Sequence, residues 1–171
     1  IPGPIAGPSR GGTELKLFGL IGSMWTTCIF GTATTPIERH EGISYCLSPT
    51  STGPRQLFGI SIGRTDVLHT SHAVFMFHEH VVLHGVWPAR GPVAGGSRLI
   101  ITGGPFQRRA SALQHLLCRI GLSVVHATYS GVNTLKCTSP SASTTSWELL
   151  EVSVNLLDFT ASALTFEYTA H

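Results

Sequence analysis

Short runs in which apolar and polar residues alternate fill most of this 171-residue chain. Alternation places every second side chain on the same face of a β-strand, so each run predicts a strand with one buried face. Glycine and proline separate the runs every 8 to 12 residues or so, which is typical of all-β sandwiches. The clearest apolar series are Thr13, Leu15 and Leu17; Phe58, Ile60 and Ile62; Leu150, Val152, Val154 and Leu156; and Leu164, Phe166 and Tyr168. One stretch, 111–117, is helix-like, but it is short.

The same series of motifs occurs twice. GPSRGGTELKLFG at 7–19 returns as GPVAGGSRLIITG at 91–103. Three further landmarks follow in the same order in each copy: TTCIFG and LLCRIG, SYCLSP and LKCTSP, AVFMF and LTFEY. A repeated order of landmarks indicates two copies of one domain. We therefore expect domain 1 at 1–80 and domain 2 at 81–171, with almost no linker between them.

Each copy contains one pair of the four cysteines. A domain of this size has a small core, which a covalent cross-link would stabilise. The four cysteines allow three pairings, and the repeat favours Cys28–Cys46 and Cys118–Cys137 because each domain can then fold independently. Such bridges indicate an oxidising, extracellular or lumenal compartment. The alternative is four buried free thiols.

The charge and the motif content exclude several classes of function. The formal net charge is only +2, which gives no extended basic surface for nucleic acid. No apolar run reaches 18 residues, so we expect no membrane insertion, and the first residues do not have the pattern of a signal peptide. The H-E-x-x-H, P-loop and dinucleotide motifs do not occur, so we expect no enzyme activity and no cofactor.

The order of the motifs resembles the IPT/TIG domain, an immunoglobulin-like fold found in plexins and transcription factors. Members of that family open with a proline and a Gly-Gly-Thr/Ser before a short strand that ends in glycine. A Cys-x-Phe/Ile-Gly strand, a Cys-x-x-Pro strand and a closing Phe-x-Tyr/Phe strand follow. The matching segments are 88–97, 103, 118–121, 137–140 and 166–168 in domain 2, and 11–13, 19, 28–31, 46–49 and 75–77 in domain 1.

The resemblance covers essentially the whole chain and implies an immunoglobulin-like β-sandwich for each copy. The family commonly links its paired cysteines, which agrees with the pairing that the repeat favours. The first strand of domain 1 is clipped, because 1–4 aligns with 85–88 and nothing matches 81–84. We therefore expect the chain to be a segment of a longer array of repeats.

Domain 2 has a six-residue insertion between Gly103 and Cys118. Loops extended from a rigid sandwich often carry binding residues, so Phe106, Arg108 and Arg109 form a candidate contact patch. An ordinary exposed loop is the alternative.

His78, His80 and His84 form a second cluster, close to the domain boundary. A His-x-His pair on a strand places both rings on one face, where zinc or copper could bind. The alternative is a polar segment with solvated side chains. Domain 2 has no matching cluster, so we favour the polar segment and expect no metal.

The remaining candidates have simpler interpretations. We expect Trp25, Trp87 and Trp147 in the core or at the domain junction rather than as platforms for sugars. The acidic pairs Glu38/Glu41 and Glu148/Glu151 are interpreted as solvated rather than catalytic. The Ser/Thr-rich stretches 48–52 and 138–146 could accept O-linked glycans, although as loops they need no such explanation.

The resemblance implies a non-enzymatic structural or adhesion segment of a larger extracellular or cell-surface protein, acting as a rigid spacer and protein-contact module. Its expected partners are neighbouring repeats of the same polypeptide, other extracellular proteins and copies of itself. One alternative is the ligand-binding part of a receptor ectodomain, with the 106–109 loop as the contact. The other is a DNA-binding domain of a transcription factor, which would require basic loops and reduced cysteines.

Overall fold

Strands make up almost all of the regular structure in the computed structural model of this chain. The structure describes residues 5–18, 25–51, 53–62, 66–68 and 73–170, without the side chains at 25, 62 and 66–68. The chain divides into two compact units, Ile1–His80 (unit 1) and Val81–His171 (unit 2). Each unit has its own core and its own pair of sheets. The all-β sandwich fold expected from the alternating pattern is confirmed.

The strands described in unit 1 are β1 (Ala6–Pro8), β2 (Glu14–Leu17), β3 (Trp25–Phe30), β4 (Ala33–Pro36), β5 (Glu38–His40), β6 (Ile43–Leu47), β7 (Arg55–Ile62), β8 (Asp66–Leu68) and β9 (Val74–His78). One sheet has the order β1-β9-β7-β3-β4, with β8 paired to β7, and the other has the order β2-β6-β5. Gly19 and the expected clipping of the first strand at 1–4 lie outside the described residues.

Unit 2 contains β10 (Val82–Trp87), β11 (Arg90–Pro92), β12 (Arg98–Gly104), α1 (Arg108–Ala112), β13 (Leu117–Ile120), β14 (Ser123–His126), β15 (Thr128–Gly131), β16 (Thr134–Thr138), β17 (Ser146–Ser153) and β18 (Thr165–Thr169). Its sheets have the orders β10-β12-β16-β15 and β11-β18-β17-β13-β14. No helix in the described ranges is long and apolar enough to cross a membrane.

A short parallel pair occurs at the same place in both units. β1 runs parallel to β9, and β11 runs parallel to β18, whereas the other strand pairs given for the described residues are antiparallel. A strand near the beginning of each unit is thereby hydrogen-bonded to the strand that ends it.

Alternating side chains from the two facing sheets fill the core of unit 2. Leu99 and Ile101 on β12 are fully buried and belong to the same cluster as Leu150 and Phe166 on the opposite sheet. Full burial of an aliphatic or aromatic side chain contributes roughly 1.5–3 kcal/mol. The predicted inward positions of Leu150 and Phe166 are confirmed.

Aromatic rings dominate the described part of the core of unit 1. The ring of Phe30 lies edge to face against those of Phe58 and Phe75, with centroids 5.1 and 5.3 Å apart, and Phe75 packs on Phe77 at 4.9 Å. Such pairs contribute about 0.5–1.5 kcal/mol beyond their buried area. Leu15 and Leu17 complete the cluster from the opposite sheet, as the alternation in β2 predicts.

One disulfide joins the two sheets of each unit. Cys28 on β3 is bonded to Cys46 on β6, and Cys118 on β13 is bonded to Cys137 on β16, with Cα atoms 6.5 and 6.6 Å apart. All four cysteines are buried, and none is free. The pairing that the repeat favours is confirmed, and each bridge lies inside a core.

The Gly-Gly motif of each unit turns the chain into β2 or β12 with two residues of positive φ, as expected. Gly95 and Gly96 have φ values of 76° and 83°. The carbonyl oxygen of Ser139 accepts a hydrogen bond from the N–H of Gly96, and its hydroxyl accepts one from the N–H of Ser97, at 2.9 and 3.0 Å. In unit 1 the corresponding acceptor is Ser48.

β17 ends earlier than the alternating pattern predicts. The series continues to Leu156, but the strand stops at Ser153, and Leu156 is 47% exposed with a φ of 73°. The buried side-chain oxygen of Asn155 accepts hydrogen bonds from the N–H groups of Leu157 and Asp158, at 3.1 and 2.8 Å. These local bonds take the place of hydrogen bonds to a neighbouring strand. The apolar pattern alone does not reveal this end of the strand.

Candidate functional site

Phe106, a member of the predicted contact patch, lies in the core of unit 2. Its side chain is 2% exposed and belongs to the same cluster as Ala110 and Leu116. The N–H of Phe106 donates to the carbonyl oxygen of Val132 at 2.7 Å, so the insertion folds back onto the sandwich. The prediction of an exposed Phe106 is therefore wrong, because burying a phenyl ring is more favourable by roughly 1.5–3 kcal/mol than leaving it in water.

Arg108 and Arg109, the other two members of that patch, begin helix α1 and are exposed. Ala110 turns toward the core, so the insertion forms one helical turn with its arginines in solvent. The helix lies a few residues before the helix-like stretch seen in the sequence, since Leu117 already belongs to β13. The structure thus separates the two arginines from the aromatic ring with which they were grouped.

The three histidines of the second cluster belong to different units: His78 and His80 lie at the end of unit 1, and His84 lies on β10 of unit 2. Nδ1–H of His78 donates to the carbonyl oxygen of Glu79 at 3.0 Å, and Nε2 of His80 accepts from Arg10 at 3.4 Å. Across the described ranges, no three His, Cys, Asp or Glu side chains lie together as a metal ion would require. The expectation that these histidines bind no metal stays a prediction.

The tryptophans that the structure describes in full are exposed, so the expectation of a core position is wrong for both. Trp147 is 65% exposed and Trp87 is 72% exposed. In β10 the reason is a bulge between Leu83 and Gly85, which adds one residue to the strand. Because one extra residue inverts the faces of the residues that follow, Trp87 points outward although Leu83 points inward.

The outward face of sheet β10-β12-β16-β15 brings together residues that the sequence did not group. Trp87 pairs with Ile100, Ile100 with Lys136, and Lys136 with Thr128. The four residues therefore form one row across four adjacent strands, and all are exposed. The signal in the sequence was indirect: Leu99 and Ile101 are the inward residues of β12, so Ile100 and its cross-strand partners had to face solvent.

This row lines a groove of about 590 Å³ in unit 2. Arg98, Thr138, His126 and Pro140 also line it. Among the residues that the structure describes, no carboxylate lines the groove, which combines apolar side chains with cationic and hydroxyl groups. A second cavity, of about 430 Å³ in unit 1, is lined by residues such as Phe30, Gln56 and Phe77 and has no ionisable side chain.

Glu148 and Glu151, one of the two acidic pairs considered, make structural bonds. Glu151 accepts hydrogen bonds from Nε and Nη2 of Arg119 at 2.8 and 2.6 Å, and that guanidinium lies 4.1 Å from the ring centroid of Phe159. Glu148 accepts from the hydroxyl of Ser146 at 2.8 Å. These carboxylates thus hold strands and a loop in place.

Two tyrosines have a raised pKa. In unit 1 the hydroxyl of Tyr45 donates to Glu38 at 3.1 Å, and this bond raises the pKa of Tyr45 because it favours the protonated phenol. In unit 2 burial, and then the charge of Glu148, raise the pKa of Tyr168, whose hydroxyl donates to the carbonyl oxygen of Pro140 at 2.9 Å. Both phenols act as hydrogen-bond donors.

The stretches considered for O-linked glycans are only partly accessible. Ser48 and Ser139 are buried, with the hydrogen bonds described above. Ser143, Thr144 and Thr145 are exposed in the loop before β17. An O-linked sugar could therefore attach at 143–145 without disturbing the core.

Comparison with known proteins agrees with this fold. The family model for the IPT/TIG domain matches residues 82–168. The chain is similar to a structure of the full extracellular region of plexin A4, domains 1 to 10, with a TM-score of 0.57 and 16% identity, over 100% of this chain and 15% of that chain. A second plexin A4 extracellular structure gives a TM-score of 0.50 and 16% identity, over 99% of this chain and 18% of that one. No curated protein matches the chain.

The matched plexin chains are much longer than this one, which spans less than a fifth of either. At this level of identity the likeness concerns the fold. The family model covers about half of the chain, and the sheets, the Gly-Gly turn and the disulfide of unit 2 lie within or beside its bounds. This chain belongs to the IPT/TIG domain family.

Proposed function

We propose that this chain is a non-enzymatic structural or adhesion segment of a larger extracellular or cell-surface protein, in which it serves as a rigid spacer and protein-contact module. The observation that carries the proposal is the pair of core disulfides, Cys28–Cys46 and Cys118–Cys137. Structural disulfides form and persist in oxidising compartments and are rare in the cytosol. Each closes a loop within its own unit, which suits a module that is repeated along a chain.

The similarity to plexin A4 supports the same setting. The matched structures are of an extracellular region, and this chain shares their fold. Fold alone does not determine function, so the similarity adds to the disulfides and does not replace them.

The polar groups of unit 2 favour contact over catalysis. Glu151 is bound to Arg119 and Glu167 to Arg90, while the groove on the opposite sheet has no carboxylate in its lining. An acid–base pair in a cleft is therefore not part of the proposal. The expected partners of this chain are neighbouring repeats, other extracellular proteins or further copies of the chain. O-linked glycans are expected at 143–145.

Peptide mapping under non-reducing conditions, on protein from its native source, tests the proposal. We expect peptides that contain Cys28 to be joined to those with Cys46, and Cys118 to Cys137. Labelling of intact cells with a membrane-impermeant amine reagent should modify the protein. Four free thiols and no surface labelling would overturn the proposal and favour an intracellular, transcription-factor-like role.

A further inference from the structure

Charge is distributed unequally between the two sheets of unit 2. β10, β12, β15 and β16 contain no aspartate or glutamate, whereas every carboxylate side chain of the unit lies between 148 and 167. On that carboxylate-bearing side, Arg90 and Arg119 form ion pairs with Glu167 and Glu151. The cationic side chains of the other sheet, on which the groove lies, have by contrast no carboxylate on the strands of their own sheet.

Two cations in this groove have no ionic partner. Arg98 and Lys136 are exposed on β12 and β16, and neither has a carboxylate partner in the part of the chain that the structure describes. Arginine and lysine bind carboxylates through charge-assisted hydrogen bonds, which are stronger than neutral ones. The groove is thus complementary to a ligand with negative charge.

The same groove offers an apolar contact next to its cations. Trp87 is 72% exposed and Ile100 is 36% exposed, and they are cross-strand partners. Exposed tryptophan and arginine are the side chains that most often dominate the binding energy of protein interfaces. The indole ring and the aliphatic side chain together form an apolar surface against which an apolar amino-acid side chain can pack.

The dimensions of the row indicate the length of ligand. Trp87, Ile100, Lys136 and Thr128 lie on four adjacent strands, so the row spans three inter-strand distances, or about 14 Å. An extended peptide covers that distance with about four residues. Because the row runs across the strands, a peptide lying along it would be bound by side chains on the face of the sheet. It would not pair through its backbone with an edge strand.

We propose that this groove binds an extended acidic peptide segment of a partner protein. An apolar residue of the segment would lie on Trp87 and Ile100, and its carboxylates would bind Arg98 and Lys136. The inference deepens the proposed function, on which it rests, by naming the contact surface and the chemistry of the partner.

The three tryptophans provide a direct readout. In the ¹⁵N-labelled full chain each indole N–H gives one NMR signal, and Trp87→Phe identifies the signal of Trp87. The probes are capped hexapeptides with two to four glutamates placed around leucine or proline, the same peptides with lysine for glutamate, and heparin. We expect the acidic peptides to shift the Trp87 signal in a saturable manner and the lysine peptides to leave it unchanged.

Matched charge reversals test the specificity of the effect. Arg98→Glu and Lys136→Glu should each weaken binding by roughly tenfold, since each replaces an attraction by a repulsion. Arg108→Glu changes the net charge equally at an exposed arginine that does not line the groove, and it should weaken binding by less than about twofold. Trp147 lies on the other sheet, so its signal should not move.

Four results would overturn the proposal. The first is that no acidic peptide gives a saturable shift at concentrations up to several times about 1 mM, the dissociation constant expected of a weak contact. The second is a shift of the Trp147 signal equal to that of Trp87, and the third is an Arg108→Glu effect as large as that of Arg98→Glu. The fourth is a shift that heparin causes and the acidic peptides do not. The last would assign the groove to an anionic polysaccharide. Correct disulfides without peptide binding would retain the extracellular proposal and remove this surface from it.

Discussion

Gly95 approaches Pro140 so closely that a Cβ atom on Gly95 would lie 2.6 Å from the carbonyl carbon of Pro140. Gly96 has a similar left-handed backbone, but a Cβ there would meet no atom within 4 Å. Both Gly95→Ala and Gly96→Ala carry the roughly 1–2 kcal/mol cost of that conformation. We expect Gly95→Ala to lower the unfolding free energy of unit 2 by a further 1–3 kcal/mol or so, because backbone must move.

Hydrogen exchange followed by mass spectrometry measures this difference, since it reports each unit separately. Unit 1 supplies an internal repeat of the experiment, because a Cβ on Gly11 would lie 2.7 Å from the carbonyl carbon of Pro49, whereas Gly12 has open space. Equal losses for the two alanine variants within a unit would contradict the argument from close approach.

Phe106→Ala should destabilise unit 2 by about 3–5 kcal/mol, the usual cost of removing a buried phenyl ring. Chemical denaturation of the full chain, with exchange data to assign the transition, measures the change. Arg108→Ala is the matched control on the exposed side of the insertion and should change stability by less than about 0.5 kcal/mol. A Phe106→Ala variant as stable as the control would restore the reading of residue 106 as a surface contact.

Loss of one disulfide should affect its own unit. With Cys118→Ala and Cys137→Ala together, we expect unit 2 to lose roughly 3 kcal/mol, because the unfolded chain regains the freedom of the closed loop. Amide exchange in unit 1, whose bridge joins Cys28 and Cys46, should not change. Accelerated exchange in both units would show that their stabilities are coupled.

The hydroxyl of Tyr168 should contribute about 1 kcal/mol through its bond to the carbonyl oxygen of Pro140, so Tyr168→Phe should lower stability by that amount at pH 7. The folded pKa is raised above the usual 10.0, first by burial and then by Glu148. The folded state therefore binds the phenolic proton more tightly than the unfolded state does. The contribution of Tyr168 to the unfolding free energy is fully present below pH 10 and is lost as the pH rises above that value. Between pH 8 and pH 11, the unfolding free energy of Tyr168→Phe should fall by less than that of the unchanged protein.

His115 should make unit 2 sensitive to mild acid. Burial lowers the pKa of this side chain below its usual 6.5, so the unfolded state binds the proton more tightly than the folded state does. Its contribution to stability is complete above pH 6.5 and is lost as pH falls below that value. The slope of unfolding free energy between pH 7.5 and pH 5 should be shallower in His115→Gln, and an unchanged slope would exclude this side chain as the source.

The sequence predicts most of the fold because two independent signals agree. Alternation assigns the inward faces of β2, β18 and most of β17, and the repeat assigns the cysteine partners, since a bridge within each copy leaves both able to fold alone. The Gly-Gly turns are predictable because glycine adopts a positive φ more readily than residues with a side chain. The structure adds a second reason, which is the close approach of Gly95 to Pro140 and of Gly11 to Pro49.

The candidate site could not be predicted in the same way. Trp87 faces outward because of a single extra residue at the β10 bulge, and alternation read through 83, 85 and 87 places it inward. Phe106 faces inward because the insertion folds back, a choice that composition alone does not reveal. Grouping of Arg98 with Lys136 requires the strand register, since the two are far apart in sequence.

The parallel pairing of β11 with β18, and of β1 with β9, has a mechanical consequence. Tension that reaches the N-terminal end of one strand and the C-terminal end of the other pulls the two strands of the pair in opposite directions. The hydrogen bonds between them are then loaded together in shear, so they cannot break one after another. In unit 2, β10 precedes β11 and pairs with β12, so the tension has to detach β10 before the parallel pair resists it.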